Sequence, residues 1–73
     1  MVARRRIDEV RTQLHELRGM IWREPALTRD RLDRLDRRTR SLLRQPCTPM
    51  DVDDLQSVLR MCDRLRCGVD RPA

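Results

Sequence analysis

The stretch TPMDVDDLQSVLRMCDRLRCG, residues 48–68, decides the fold. Thr48 is placed to cap a helix, Pro49 suits its first position, and Asp51 stands three residues after the cap. This is a Thr-x-x-Asp form of the capping box, in which two side chains satisfy the free N–H groups of a helix start. Behind it, Val52, Leu55, Val58, Leu59, Cys62 and Leu65 recur at helical spacing and form a broad apolar face. Gly68 reads as the stop. The pattern predicts a helix over about residues 49–67.

Upstream, Ile7, Val10, Leu14, Leu17 and Ile21 repeat at spacings of three and four. That is the narrow seam of a helix packed on one neighbour, and it predicts a helix over about residues 4–23. Gly19 falls inside it, a weak helix former that also permits a close helix–helix approach. Leu32, Leu35, Thr39 and Leu42 give a second narrow seam, widened by Leu43. With Thr28 as cap and Pro46 as terminator, they predict a helix over about residues 28–45. Pro25, Pro46 and Pro49 punctuate the chain, and no β-branched alternating run predicts a strand. The expected architecture is all-α in one small domain over residues 1–73. It is a three-helix antiparallel bundle, or a helical hairpin completed by dimerisation, with coiled-coil-like packing.

Length and composition narrow the function. The chain has 73 residues, of which 38% are hydrophobic and 40% charged, with one Trp and no Phe or Tyr. A core of this size is marginal alone and gains from a partner or a second copy. All 17 basic residues are Arg. Schiff-base and lysine general-base chemistry are therefore excluded, because both need a deprotonatable amine. No apolar run is long enough to span a membrane, and no export signal is recognisable at the N-terminus. Three Cys, at 47, 62 and 67, fit reduced thiols better than a disulfide framework. These features together predict a cytoplasmic protein.

Net charge is +5, which raises the question of nucleic acid. The excess is concentrated in residues 25–46, at +4, whereas residues 47–73 carry −1. On the second helix, Asp30, Asp33 and Asp36 each precede an Arg by four residues, at 34, 37 and 40. This acid-first order favours ion pairs on the helix's own surface. Trp22 stands alone, so no aromatic array is available for stacking bases. Arg4, Arg5 and Arg6 read as a solvated helix start. A basic nucleic-acid-binding accessory protein acting through Arg37, Arg38, Arg40 and Arg44 is the alternative function.

No catalytic constellation is legible. His15 is the sole His and lies beside the first seam. Cys62 and Cys67 are five apart, not a Cys-x-x-Cys pair. His15 with the three Cys would offer tetrahedral ligands, but at no usual zinc spacing. The reading is of a non-enzyme without metal or cofactor. The segment Arg6-Ile7-Asp8-Glu9-Val10-Arg11 resembles the opening helix of all-helical chorismate mutases. Those enzymes use a catalytic Lys that this chain lacks. The layout is also similar, in size and helix pattern, to the small helical co-chaperones of type III secretion needle proteins, with no motif in common. No family is assigned on either likeness.

The expected function is a small protein-binding module, an adaptor, chaperone or regulator, whose partner is another protein or a second copy of the chain. Contact residues are expected among Leu14, Leu17 and Ile21 of the first helix and Leu55, Leu59, Met61, Cys62 and Leu65 of the third. Some of these must instead form the core. Met50 and Met61 fall off the main stripe of the third helix and suggest a second apolar strip there.

Overall fold

The computed structural model describes the backbone of residues 1–70 and the side chains of residues 1–68. The chain folds into three helices, α1 (Arg4–Met20), α2 (Pro25–Leu43) and α3 (Pro49–Asp70), with no strand among the described residues. Each helix packs on the other two, and the α2–α3 interface is the most extensive. Ion pairs give the directions. Arg38, late in α2, reaches Glu9, early in α1, at 2.8 Å. Arg66, late in α3, reaches Asp33 of α2 at 3.3 Å. Arg4, at the start of α1, reaches Asp54 near the start of α3 at 2.6 Å. Sequence neighbours are thus antiparallel, while α1 and α3 run parallel. The result is an elongated up-down-up bundle, 41 × 17 × 15 Å in extent.

The core follows the seams. Ile7, Val10 and Leu17 of α1, Ile21 just past its end, Leu32, Leu35 and Leu42 of α2, and Leu55, Val58 and Cys62 of α3 are all buried. Thr28 and Thr39 are buried as well. Their hydroxyls donate to the carbonyls of Glu24 and Leu35 one turn back, at 2.7 and 2.8 Å, so neither is an orphaned polar group. Leu14 is half-buried. The broad face predicted for α3 divides into a buried centre and flanks, Val52, Leu59 and Leu65, that are only half-buried.

Several boundaries differ from the sequence expectation. α1 stops at Met20, whose carbonyl accepts from the N–H groups of both Arg23 and Glu24 at 2.9 Å, and Glu24, the residue before Pro25, is steered away from helical geometry. Glu24 accordingly adopts φ −139° and ψ 69°. α2 then begins at Pro25, three residues before the expected start. Proline suits the first helical position because it lacks the N–H that would go unbonded there. Thr28 is therefore not the cap but a buried residue of the first turn. The end of α2, at Leu43, differs from the expected 45 by an ordinary margin. α3 passes through the expected stop at Gly68, which does not adopt a positive φ. Gly19 permits no close approach either: a Cβ added there meets nothing within 4 Å.

The capping box forms reciprocally. The Asp51 N–H donates to Thr48 Oγ1 at 3.1 Å, and the Thr48 N–H donates to Asp51 Oδ2 at 3.3 Å. α1 has no side-chain cap. Instead Val2, just before the cap position, is buried in the core with Ile7, in the arrangement of a hydrophobic staple. The Val2 N–H also donates to Pro46 O at 3.1 Å, tying the start of α1 to the α2–α3 loop.

The three arginines that open α1 sit at the unfavourable end of its dipole. Arg4 is not simply solvated there, contrary to expectation: it pairs with Asp51 at 3.1 Å and Asp54 at 2.6 Å. Burial opposes ionisation of Asp51. Hydrogen bonds from Thr48 and Arg4 outweigh it and hold the carboxyl below the usual aspartate range. A depressed carboxylate contributes stability that is full above its unfolded value of about 3.9 and is lost as pH falls through the folded value. Asp51→Asn should therefore be less stable than the parent at neutral pH, with the gap closing as pH falls below about 4. Urea titrations at a series of pH values check this, and a gap independent of pH would assign the effect to helix capping alone.

Candidate functional site

Each interhelix seam carries an arginine bridge. Arg4 joins α1 to α3, Arg38 joins α2 to Glu9 of α1, and Arg66 joins α3 to Asp33 and Asp36 of α2. What separates the seams is the apolar surface left uncovered beside each bridge. Between α1 and α2, a groove of about 340 Å³ has Leu17 and Leu35 as its floor, both buried. Two of its three arginines are paired with carboxylates. Arg38 holds Glu9, Arg34 holds Asp30 at 3.3 Å, and Arg31 lies 3.8 Å from the Met20 sulfur.

Between α1 and α3 the groove is larger, about 670 Å³, and more open. Leu14 of α1 faces Val58 and Met61 of α3 across it, and Leu14 and Met61 are only half-buried. Arg11, His15 and Arg18 form the α1 wall, at spacings of four and three along one helix face. Arg11 and Arg18 make no side-chain hydrogen bond or ion pair among the described residues. The acids of the groove, Asp8 and Asp54, lie toward the other end, where Arg4 pairs with both, at 4.0 and 2.6 Å. One end is thus charge-compensated and the other is cationic.

Four of the eight residues expected at an interface, Leu17, Ile21, Leu55 and Cys62, are sealed inside the bundle. They cannot meet a partner while it stays folded. Of the remaining four, Leu14 and Met61 share the α1–α3 groove, Leu65 packs on the core, and Leu59 is half-buried outside that groove. Met50 is 68% exposed, three helical turns before Met61 on the same face of α3. Asp54, with its Arg4 ion pair, lies between them, so the strip is interrupted by charge. Arg11 and Arg18 are the residues that sequence reasoning missed, and His15 was weighed there only as a catalytic or metal-binding group. Arg11 and Arg18 lie directly beside the α1 seam, a position that does not distinguish them from other arginines of the chain.

The arginines of the alternative reading are mostly engaged. Arg38 is bridged to Glu9, Arg40 pairs with Asp36 at 3.1 Å, and Arg37 donates to the Asp33 carbonyl at 3.4 Å. The expected Asp33–Arg37 ion pair does not form, because the Asp33 carboxylate goes to Arg66 instead. Arg44 is exposed.

The thiols and the histidine are dispersed. Burial, reinforced by Asp36, pushes the Cys62 thiol up to about 11, which leaves it protonated and unreactive at neutral pH. Cys47 lies in the α2–α3 loop, 3.1 Å from Gln45 O and 3.5 Å from Leu42 O, and Cys67 is exposed. No three His, Cys, Asp or Glu side chains converge on a common point among the described residues. No described helix is long and apolar enough to cross a membrane. No family model, curated protein or solved structure matches the chain.

Proposed function

We propose that this chain is a non-enzymatic protein-binding module, an adaptor, chaperone or regulator, that engages its partner through the α1–α3 groove. The observation that carries the reading is the pairing of half-exposed Leu14 and Met61 with the unpartnered Arg11 and Arg18 along one open seam. Apolar centres with arginine at the margin are what protein interfaces select. The partner is another protein rather than a second copy. Two copies meeting through this groove would bring Arg11 and Arg18 of both into one interface, on chains that each carry +5. Like charges so placed are unfavourable. The small core is consistent with a bundle that is stabilised further when the partner binds.

Site-specific photo-crosslinking tests the reading. Met61→p-benzoylphenylalanine should yield a protein adduct in extract of the source cells, resistant to nuclease. Gln56→p-benzoylphenylalanine, on an exposed position away from the groove, should not. A nuclease-sensitive adduct, a covalent dimer of the chain, or no adduct at position 61 would overturn it.

A further inference from the structure

The groove's chemistry specifies its occupant more closely than a protein in general. This inference rests on the protein-binding reading above. We propose that the α1–α3 groove docks an acidic amphipathic helix of another protein. The apolar stripe of that helix lies on Leu14 and Met61, above buried Val58, and its carboxylates lie against Arg11 and Arg18.

Three observations converge on this occupant. The first is backbone supply. Both walls are helices, whose mid-segment N–H and C=O groups are bonded internally, so an extended peptide would find no edge to pair with. A helix brings its own backbone bonds and lays an i, i+3, i+4 stripe into the groove between two others, as in a four-helix bundle. The second is length. The wall from Asp8 to Arg18 spans eleven residues of α1, about 15 Å at the helical rise, which matches about three turns of a docked helix.

The third is charge. Arg11 and Arg18 stand seven residues apart, two turns on one face, with His15 between them. Neither has a carboxylate partner among the described residues, whereas the acids of the groove are taken up by Arg4. Carboxylates two turns apart on an incoming helix complement that row. A basic helix meets repulsion at the Arg11–Arg18 end and finds Asp8 and Asp54 already paired. Guanidinium groups also favour carboxylate in planar, two-point geometry.

The test uses the full chain, labelled with ¹⁵N, and fluorescent peptides of about sixteen residues. One peptide carries a Leu stripe with flanking Glu, the second has Lys in place of every Glu, and the third is a scramble of the first. The acidic amphipathic peptide should bind at least tenfold more tightly than the others by anisotropy. Amide shifts should be confined to residues 8–18 and 54–61. Raising the salt should weaken binding. In the double variant Arg11→Glu with Arg18→Glu the preference should reverse, so that the Lys peptide binds more tightly than the Glu peptide. Both positions are exposed and unpaired, so helicity by circular dichroism should stay unchanged.

Equal binding of the scramble, shifts centred elsewhere, or failure of the preference to reverse would each overturn the assignment. A nuclease-resistant protein adduct at position 61 without peptide discrimination would remove the acidic helix alone and leave the binding module standing. Loss of both results would remove both.

Discussion

Leu55→Ala should lower the stability of the bundle by about 3 kcal/mol and its thermal midpoint by about 12–24 °C. Leu55 is fully buried in the first half of α3, in the cluster that gathers side chains from all three helices. Truncating it removes the transfer energy of its methyl groups and leaves a cavity between α3 and its neighbours. Thin bundles tolerate such a loss poorly. Among the described residues only eleven apolar side chains are buried. The accessible surface of 5343 Å² exceeds the roughly 4,800 Å² expected of a compact chain of this mass. Total stability for a chain of this size is about 4–11 kcal/mol, so one cavity consumes a large share of it. Leu59→Ala supplies the contrast. It lies one turn further along the same helix but is half-buried, and it should cost under about 1 kcal/mol. Chemical denaturation of both variants checks the difference. Equal costs would mean that the division of α3 into a buried centre and open flanks is wrong.

That division is also the part of the fold that sequence could not supply. The seams named the helices correctly, because spacings of three and four fix which residues share a face. The capping box at Thr48 and Asp51 fixed the start of α3, because its chemistry is local. Where a boundary was missed, a second local signal had been outweighed. Pro25 at the first helical position marked the start of α2 better than Thr28 did. Gly68 was read as a stop although nothing in the chain forces it to a positive φ. The interface residues were harder for a different reason. Leu55 and Leu59 look alike in a helical pattern, and only the crossing of three helices decides which of them is covered. The same holds for the ion pairs. A spacing of four suggested Asp33–Arg37, but Arg66 arrives from another helix and takes the Asp33 carboxylate. Arg11 and Arg18 carry no distinguishing signal in the sequence, and only the packing of α3 places Met61 alongside them.

Arg66→Met should destabilise the chain by about 2 kcal/mol, and adding Asp36→Leu should recover most of that loss. Arg66 is 28% exposed and Asp36 14%. The guanidinium lies 3.3 Å from Asp33, 3.5 Å from Asp36 and 3.5 Å from Asp63. Asp36 Oδ1 and Arg66 Nη2 are buried and form no hydrogen bond of good geometry, so the ion pair with Arg66 is the main compensation that Asp36 Oδ1 receives, while Arg66 Nη2 lies equally close to Asp63. Removing the cation alone strands a carboxylate oxygen in the α2–α3 seam. The penalty for a fully buried charge is about 3–5 kcal/mol. Partial exposure of this pair and the Arg40 contact to the other Asp36 oxygen reduce it here. Removing both charges strands nothing and adds apolar contact beside Cys62. The double variant should therefore lie within about 1 kcal/mol of the parent, giving a coupling energy near the full cost of the single change. The bridge still has a structural purpose if the double variant is stable. Leucine stripes at spacings of three and four can slide by one turn and still bury apolar surface. A guanidinium that must reach Asp33 and Asp36, adjacent on one face of α2, is satisfied in a single register. The charge-free variant should accordingly keep its unfolding free energy but show broader amide resonances along α2 and α3, as neighbouring registers become populated. Sharp, unshifted resonances would show that side-chain packing alone sets the register. Strictly additive costs would show that Arg66 and Asp36 act independently.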